Sequence, residues 1–356
     1  MMTQLQDNAL TLLKELIKIQ SFSKEEDGTA DLLEKWFADK EIVATRNRNN
    51  VWAVNKHFDA AKPTLLLNSH HDTVKPNAAY TRDPFLPTVV DGKLYGLGSN
   101  DAGGCLVGLL AAFSYFYEKE NLAYNLVIAA TAEEENSGEN GIAFLLPFLP
   151  KIDVAIVGEP TLLDLAIAEK GLVVLDAVVK GTPGHAAHTQ NTENPINKAL
   201  QELSWFDSFQ FPKLSEALGA VKMTVTQINA GSQHNVVPAE LHFVVDVRVT
   251  DAYTNQEVLD LVQAHSNCEI KARSLRLNSS SIDPTHPLVK AGVKLGKNTY
   301  GSPTLSDQSR LTCQSLKLGP GDSLRSHSAD EFIYVQEVMD GVEFYIRLLK
   351  EVVQTS

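Results

Sequence analysis

Three short apolar segments of this chain are each followed by histidine or carboxylate side chains. The segments are Thr64–Asn68, Asn125–Thr131 and Asp153–Gly158, each about the length of one buried strand. The residues that follow them are His70, His71 and Asp72, then Glu133, Glu134 and Glu135, and then Glu159. Strand ends in an open α/β sheet border a crevice, so this repetition predicts an α/β fold with one shared site.

A glycine-rich segment adds a further carboxylate. Residues 96–104 place four glycines around Asp101, which indicates a close approach of the backbone and a tight entry into a helix predicted for Cys105–Tyr117. Two other interpretations stay open for these carboxylates. In the first interpretation, Asp101 is only the N-cap of that helix. In the second, Glu133–Glu135 is a solvated run of charge.

Composition and charge disfavour several classes of function. The net charge of −13 disfavours nucleic acid and anionic membranes as partners, because both need a basic face. Cys105, Cys268 and Cys313 are far apart without CxxC spacing, which favours a reducing compartment, here the cytoplasm. No signal peptide is visible, and no apolar run approaches the length of a membrane span.

The chain changes character in its middle third. From Val173 to Arg273 the predicted order is β-α-β-β-α-β, which is the pattern of a ferredoxin-like domain. We therefore expect an inserted domain at residues 173–280. Residues 1–172 and 281–356 are expected to form one α/β domain, with its first helix near 8–20 and its last at 335–353.

The donors at the predicted strand ends are suited to metal binding. Neutral imidazole and carboxylate oxygen suit zinc, cobalt or manganese, and a carboxylate can bridge two ions. A pair of ions can activate one water for hydrolysis. The candidate side chains are His70, Asp101, Glu134, Glu135, Glu159 and, from the last segment, His327.

These segments, in this order, resemble the M20 family of metallopeptidases and deacylases over nearly the whole chain. The matching motifs are His70–Val74, Gly98–Gly104, Thr131–Glu135, Gly158–Thr161 and His327. The resemblance implies a catalytic α/β domain with a mixed, largely parallel sheet of the zinc-peptidase type. It also implies that the inserted ferredoxin-like α+β domain is a lid and forms a homodimer.

The resemblance also implies roles for individual residues. Two divalent metal ions are expected, with zinc first and cobalt or manganese as alternatives, held by His70, Asp101, Glu135, Glu159 and His327. Asp101 bridges the two ions, Asp72 orients His70, and Glu134 is the general base. His71 is the rival of His70, and the His-x-Asp register favours His70.

Three residues of the inserted domain complete the predicted site. Gly184-His185 resembles the family's lid motif, in which the histidine stabilises the oxyanion in the partner subunit's site. Asn235 and Arg248 resemble its substrate-binding residues, and a guanidinium suits a substrate carboxylate. From the residues alone, the favoured interpretation of His185 is a loop histidine at a sheet edge, and that of Arg248 is a solvated strand residue.

The expected reaction is removal of the acyl group from an N-acyl amino acid, foremost N2-acetylornithine in arginine biosynthesis. This choice depends on Leu318–Asp322, which precedes His327 and resembles the acetylornithine and acetyl-lysine deacetylases. The alternatives are a desuccinylase for succinylornithine or succinyl-diaminopimelate, an acetyl-lysine deacetylase, a metallo-dipeptidase, an aminopeptidase or a carboxypeptidase. Asp307 and Asp322 are candidates for binding the ornithine ammonium group. A non-catalytic protein that binds amino acids is the alternative outside enzymes.

Overall fold

The structure is a computed structural model that describes residues 2–354. Contacts within the chain divide it into two units. The first comprises residues up to 167, 281–300 and 306 onward, and the second comprises 168–280 and 301–305. The predicted insertion at 173–280 lies inside the second unit. Among the described residues, no helix combines the length and the apolar character that a bilayer span requires.

Eight α-helices lie among the described residues: α1 (Met2–Ile17), α2 (Asp27–Ala38), α3 (Gly104–Phe116), α4 (Ile142–Leu145), α5 (Pro195–Ser208), α6 (Asn255–His265), α7 (Pro287–Lys294) and α8 (Val335–Val353). The first half of the described strands comprises β1 (Ala44–Asn47), β2 (Asn50–Val54), β3 (Thr64–His70), β4 (Thr88–Val90), β5 (Lys93–Tyr95), β6 (Asn125–Thr131), β7 (Val154–Val157), β8 (Leu165–Glu169) and β9 (Gly171–Lys180). The second half comprises β10 (Gly184–His185), β11 (Lys222–Ala230), β12 (Val236–Val237), β13 (Glu240–Val249), β14 (Glu269–Ala272), β15 (Ser280–Ser281), β16 (Thr299–Ser302), β17 (Gln314–Lys317) and β18 (Phe332–Tyr334).

The central sheet of the first unit is mixed and parallel at its centre. Seven of its nine strands lie in the order β1, β2, β6, β3, β7, β17 and β8. The pairs β6/β3, β3/β7 and β7/β17 are parallel, whereas β1/β2, β2/β6 and β17/β8 are antiparallel. This is the expected α/β fold with a largely parallel sheet. The C-terminal ends of β6, β3, β7 and β17 therefore lie along the same side of the sheet, which is called the sheet edge below.

Both faces of the central sheet are covered at β3, β6 and β7, which explains why these strands are apolar over most of their length. Every residue of β3 and β6 is buried. Leu65 and Leu67 belong to the core with α1, α3 and α8, whereas Leu66, between them, packs in a separate cluster with Ile142 and Leu145 of α4. Successive side chains of a strand point to opposite faces, so one apolar run supplies both layers.

The second unit is a four-stranded antiparallel sheet with two helices. Its strand order is β11, β13, β9 and β14, and the elements follow each other as β-α-β-β-α-β. This is the expected ferredoxin-like pattern. Two caps explain where its helices begin: Asn194 accepts from the amide of Ile196, and Thr254 forms a capping box with Glu257.

Two local expectations are corrected. The first helix begins at Met2, not near residue 8, because Met2 and Leu5 also pack on the core, and it ends at Ile17. Asp101 is not the N-cap of α3, because that helix begins at Gly104 after a kinked turn at Ser99–Gly103.

The buried hydroxyl of Tyr345 supplies a test of the packing that supports this sheet edge. It donates to the carbonyl of Leu318, directly after β17, and the ring lies against Gly108 of α3. We expect Tyr345→Phe to destabilise the protein by about 1–3 kcal/mol, because the buried carbonyl loses its donor. Urea unfolding measures the change. Tyr115→Phe, at a partly exposed ring in edge-to-face contact with Phe116, is the control and should leave the midpoint unchanged.

Candidate metal centre

Three parallel strands deliver polar residues to the same edge of the central sheet. His70 ends β3, Glu133–Glu135 follow β6, and Glu159 lies two residues after β7. Asp101 reaches this edge from the kinked turn before α3. His327 lies in the loop between β17 and β18. The structure thus brings together side chains from five separate segments.

His70, Asp101 and Glu159 form a first group. The Nε2 atom of His70 lies 3.3 Å from Oδ1 of Asp101 and 3.8 Å from Oε1 of Glu159. The imidazole is almost fully buried. One nitrogen and two carboxylate oxygens, each within 4.8 Å of the others, form a donor set that can hold a divalent ion.

Asp101, Glu135 and His327 form a second group. The Nε2 atom of His327 lies 2.9 Å from Oε2 of Glu135 and 3.7 Å from Oδ2 of Asp101. The two oxygens of Asp101 therefore face different groups. This is the arrangement that a carboxylate shared between two ions requires, so the residues present fit a pair of divalent cations.

The electrostatics of the cluster also suit cations. Burial, followed by the charge of Asp101, raises the pKa of Glu159 to about 8. Burial raises the pKa of Glu134 well above its ordinary value, and Glu159 and Asp307 add to the effect. Several carboxylates brought together out of water repel each other, and bound cations would compensate that repulsion.

Asp72 contacts two of the other predicted site residues through their backbone. Its Oδ1 accepts from the amide of Glu134 at 3.1 Å, and its Oδ2 accepts from the amide of Glu135 at 3.2 Å. Ser23 donates to the same Oδ2 at 2.6 Å. His70 Nδ1 is closer to the backbone carbonyl of Asp72, at 3.0 Å, than to its carboxylate, at 3.4 Å. Asp72 thus contacts His70 and fixes the backbone at Glu134 and Glu135.

The neighbouring histidine, His71, faces away from both groups. Its Nδ1 contacts the hydroxyl of Thr29 at 2.8 Å, and its Nε2 contacts the carbonyl of Asn49 at 2.7 Å. Burial lowers the pKa of His71 to about 4. Both nitrogens are engaged by the protein, so of the two histidines His70 has the geometry of a ligand.

The other three predicted residues lie in the second unit. His185 is exposed in β10, which pairs with β12, and the amide of Ala187 donates to its Nδ1. The carbonyl of Asn235 accepts from Ala186, so these two predicted segments are adjacent. The guanidinium of Arg248 forms two hydrogen bonds to Asp246 of the same strand, at 2.8 and 3.1 Å. A substrate carboxylate at Arg248 would compete with Asp246.

The two candidates for binding an ammonium group have internal partners. Asp307 is 6% exposed, and its Oδ2 accepts from the side chains of Asn68 and Thr131, near the ends of β3 and β6. Asp322 accepts from the amide of Leu324 and caps a short turn. Asp307 therefore connects β3 and β6 near the ends of these strands.

Sequence reasoning missed two buried glutamates that hold loops at this edge. Glu26 accepts from the amides of Lys24 and Glu133 and from the side chain of Asn49. Glu331 accepts from three amides around Asp101. The amide of Glu133 is 107 residues from Glu26, and the three amides that Glu331 binds are at least 230 residues from it. Only the position of Glu331 four residues after His327 could have drawn attention to it.

Comparisons with known proteins show the family to which the chain belongs. A family model described as peptidase family M20/M25/M40 matches residues 66–351. The chain belongs to this family. It is therefore a metal-dependent M20 hydrolase acting on amide bonds.

This M20 chain is similar to curated desuccinylases. It is 25% identical to the succinyl-diaminopimelate desuccinylase of Cereibacter sphaeroides, over 96% of this chain and 98% of the relative. It is 28% identical to the enzyme of the same name from Psychromonas ingrahamii, over 74% of each chain.

Two solved structures share its fold. Aminopeptidase PepT from Bacillus cereus aligns with a TM-score of 0.78 at 16% identity, covering 98% of both chains. The YXEP protein of Bacillus subtilis, described as a dinuclear metal-binding peptidase of the M20 family, aligns with a TM-score of 0.72 at 16% identity, also over 98% of both chains.

The contacts of Asp72 predict that its carboxylate matters for metal binding. Asp72→Asn replaces one acceptor oxygen with a donor group facing the amide of Glu134 or Glu135. We expect metal affinity to fall about 10–100-fold, the usual effect of losing a group that orients ligands. Isothermal titration of the metal-free protein measures it.

Asp283→Asn is the matched control, because the exposed Asp283 also accepts from a backbone amide, that of Thr285. Its affinity should equal that of the wild type. Equal affinity for Asp72→Asn would show that the contacts of Asp72 do not orient the donors.

Proposed function

We propose that this M20 hydrolase removes the acyl group from an N-acyl amino acid. The observation that carries the proposal is the Asp101 carboxylate, whose two oxygens face two donor groups. A partly buried Glu134 interacts electrostatically with His70 and Glu159 of the first group. That arrangement supports hydrolysis with two metal ions at one edge of the sheet. The family membership supports an amide as the bond that is broken.

In this proposal His70 and Glu159 hold one cation, Glu135 and His327 hold the other, and Asp101 is shared. Two bound divalent cations, with zinc as first candidate and cobalt or manganese as alternatives, would polarise the scissile carbonyl and make water more acidic. The buried position of His70 and the partial burial of the carboxylates limit competition from bulk water for these donors.

Glu134 is the proposed general base. It takes a proton from the attacking water and gives it to the leaving amine, and its raised pKa suits a group that must accept and then release a proton. The amide of Glu134 is bound by Asp72 and that of the adjacent Glu135 by the same carboxylate. The base and one proposed ligand therefore have a common anchor.

N2-acetylornithine, a precursor in arginine biosynthesis, remains the first candidate substrate. It is supported by the segment Leu318–Asp322 before His327. N-succinyl-diaminopimelate is the second candidate, because curated relatives over almost the whole chain are desuccinylases. His185 is proposed to stabilise the oxyanion, and Asn235 and Arg248 to bind substrate. A cytoplasmic location is part of the same proposal.

The substrate proposal is tested by turnover of the metal-loaded protein. The panel contains N2-acetylornithine, N2-succinylornithine, N-acetyl-lysine, N-succinyl-diaminopimelate and an unblocked dipeptide. We expect an N-acyl diamino acid to have the highest kcat/KM. Hydrolysis of the dipeptide alone would replace the proposal with a peptidase, and no hydrolysis at all would favour a binding protein.

The role of Glu134 is tested on the best substrate. Glu134→Gln keeps the shape of the side chain and removes its ability to accept a proton. We expect kcat to fall by a factor of about 10² to 10⁴ while two cations remain bound. Glu120→Gln, at an exposed position, is the control. Full activity of Glu134→Gln would show that the base is another group.

A homodimer through the second unit is also proposed. Strand β11 is at the edge of its sheet, and Ile228 on it is 51% exposed. Such an edge can pair with a second copy. Light scattering should give twice the mass of one chain, and Ile228→Glu should shift the protein towards the monomer. Val43→Glu, at an exposed apolar residue of the first unit, should stay dimeric. A monomeric wild type contradicts the proposal.

A further inference from the structure

The loop that carries Asp101 has few hydrogen bonds of its own. From Leu97 to Asp101, only one backbone amide, that of Ser99, donates within the loop, to the carbonyl of Gly96. The amide of Leu97 donates to the carbonyl of Pro84. Buried amides need acceptors, so the position of this glycine-rich loop depends on groups elsewhere in the chain.

One side chain accepts from the three remaining amides. Oε1 of Glu331 accepts from the amides of Asn100 and Asp101, at 2.8 and 3.0 Å, and Oε2 accepts from that of Gly98 at 3.1 Å. Glu331 is only 2% exposed. One side chain, at least 230 residues away in sequence, thus accepts from all three amides that have no backbone acceptor.

The backbone of Glu331 is itself held by a strand pair. Its carbonyl accepts from the amide of Gly96 at 3.0 Å, and the next residue, Phe332, pairs with Tyr95 of β5. Glu331 lies four residues after His327 and directly before β18. It connects the Asp101 loop to the segment that bears the second histidine.

We infer that Glu331 is a positioning residue that fixes the shared carboxylate of Asp101 relative to His327, an inference that rests on the proposed two-metal function. Asp101 has one oxygen in each donor group, so a small shift of its backbone changes the geometry of both. Glu331 holds that backbone at the residue itself and at the one before it. It binds neither metal nor substrate in this arrangement.

A second contact supports the same connection. The side-chain oxygen of Asn100 accepts from the amide of Asp322 at 3.0 Å, and its nitrogen donates to the carbonyl of Asp322 at 3.0 Å. The residue before Asp101 thus also binds the segment that leads to His327. The two segments therefore meet through backbone and side-chain groups of Asn100, directly before the shared carboxylate.

The adjacent acid, Asp330, provides a matched control. Its carboxylate also accepts from backbone amides, those of Thr81 and Arg82, but in a loop without any predicted ligand. Asp330→Asn therefore removes the same kind of contact from the same segment and leaves the Asp101 loop untouched.

The test compares wild type, Glu331→Gln, Glu331→Asp and Asp330→Asn in the full chain. Glu331→Gln keeps the shape but faces at least one amide with a donor, and Glu331→Asp keeps the charge but shortens the reach. We expect the affinity for Co²⁺, measured by titration, to fall about 10-fold or more in both. The visible Co²⁺ spectrum should change, and kcat should fall more than KM rises. Asp330→Asn should match the wild type.

Each outcome is decisive. If Glu331→Gln has the Co²⁺ affinity and the Co²⁺ spectrum of the wild type, the inference is overturned. This holds even if the variant melts at a lower temperature, because only stability then depends on Glu331. If neither Glu331 variant folds while Asp330→Asn does, Glu331 is a folding determinant and the inference is again overturned. A wild type that fails to bind two cations overturns the proposed function itself, and the inference falls with it.

Discussion

The carboxylate of Asp101 is the group on which the arrangement of the sheet edge depends. Its two oxygens face His70 and His327, which lie 257 positions apart in sequence. A shared acid can serve two ions only if each of its oxygens has its own set of donors within reach. The parallel order of β6, β3 and β7 provides this, because it brings Glu135, His70 and Glu159 to one edge. The glycine-rich turn then brings Asp101 between them.

Two carboxyl groups that are not part of the donor groups hold the backbone of the segments that bear the donors. Asp72 binds the amides of Glu134 and Glu135, and Glu331 binds those of Asn100 and Asp101. In both cases a side-chain carboxyl group supplies the acceptors that the loop backbone lacks. The strand ends are regular and need no such support, whereas the two loops bear the proposed base and the shared ligand. Buried acidity in this unit therefore serves structure as well as chemistry.

Much of the fold and of the donor set could be predicted because both have local signatures. Apolar runs of strand length marked β3, β6 and β7, and the polar residues after them marked the edge. The sequence could not decide the environment of single side chains. The His-x-Asp register favoured His70 over the adjacent His71, but only the structure shows that both nitrogens of His71 are engaged by Thr29 and Asn49. Asp307, expected as a substrate contact, instead binds Asn68 and Thr131.

By itself, the sequence determined the order of elements, the ferredoxin-like insertion and the residue types at each strand end, because apolar periodicity and turn residues act over short distances. Only the tertiary structure decided which oxygen of Asp101 faces which histidine. Only the tertiary structure shows that the guanidinium of Arg248 is already hydrogen-bonded to Asp246. It also decided that Glu331 supports the Asp101 loop. These contacts join residues remote in the chain or depend on rotamers. Their partners are set by packing, which no local pattern encodes.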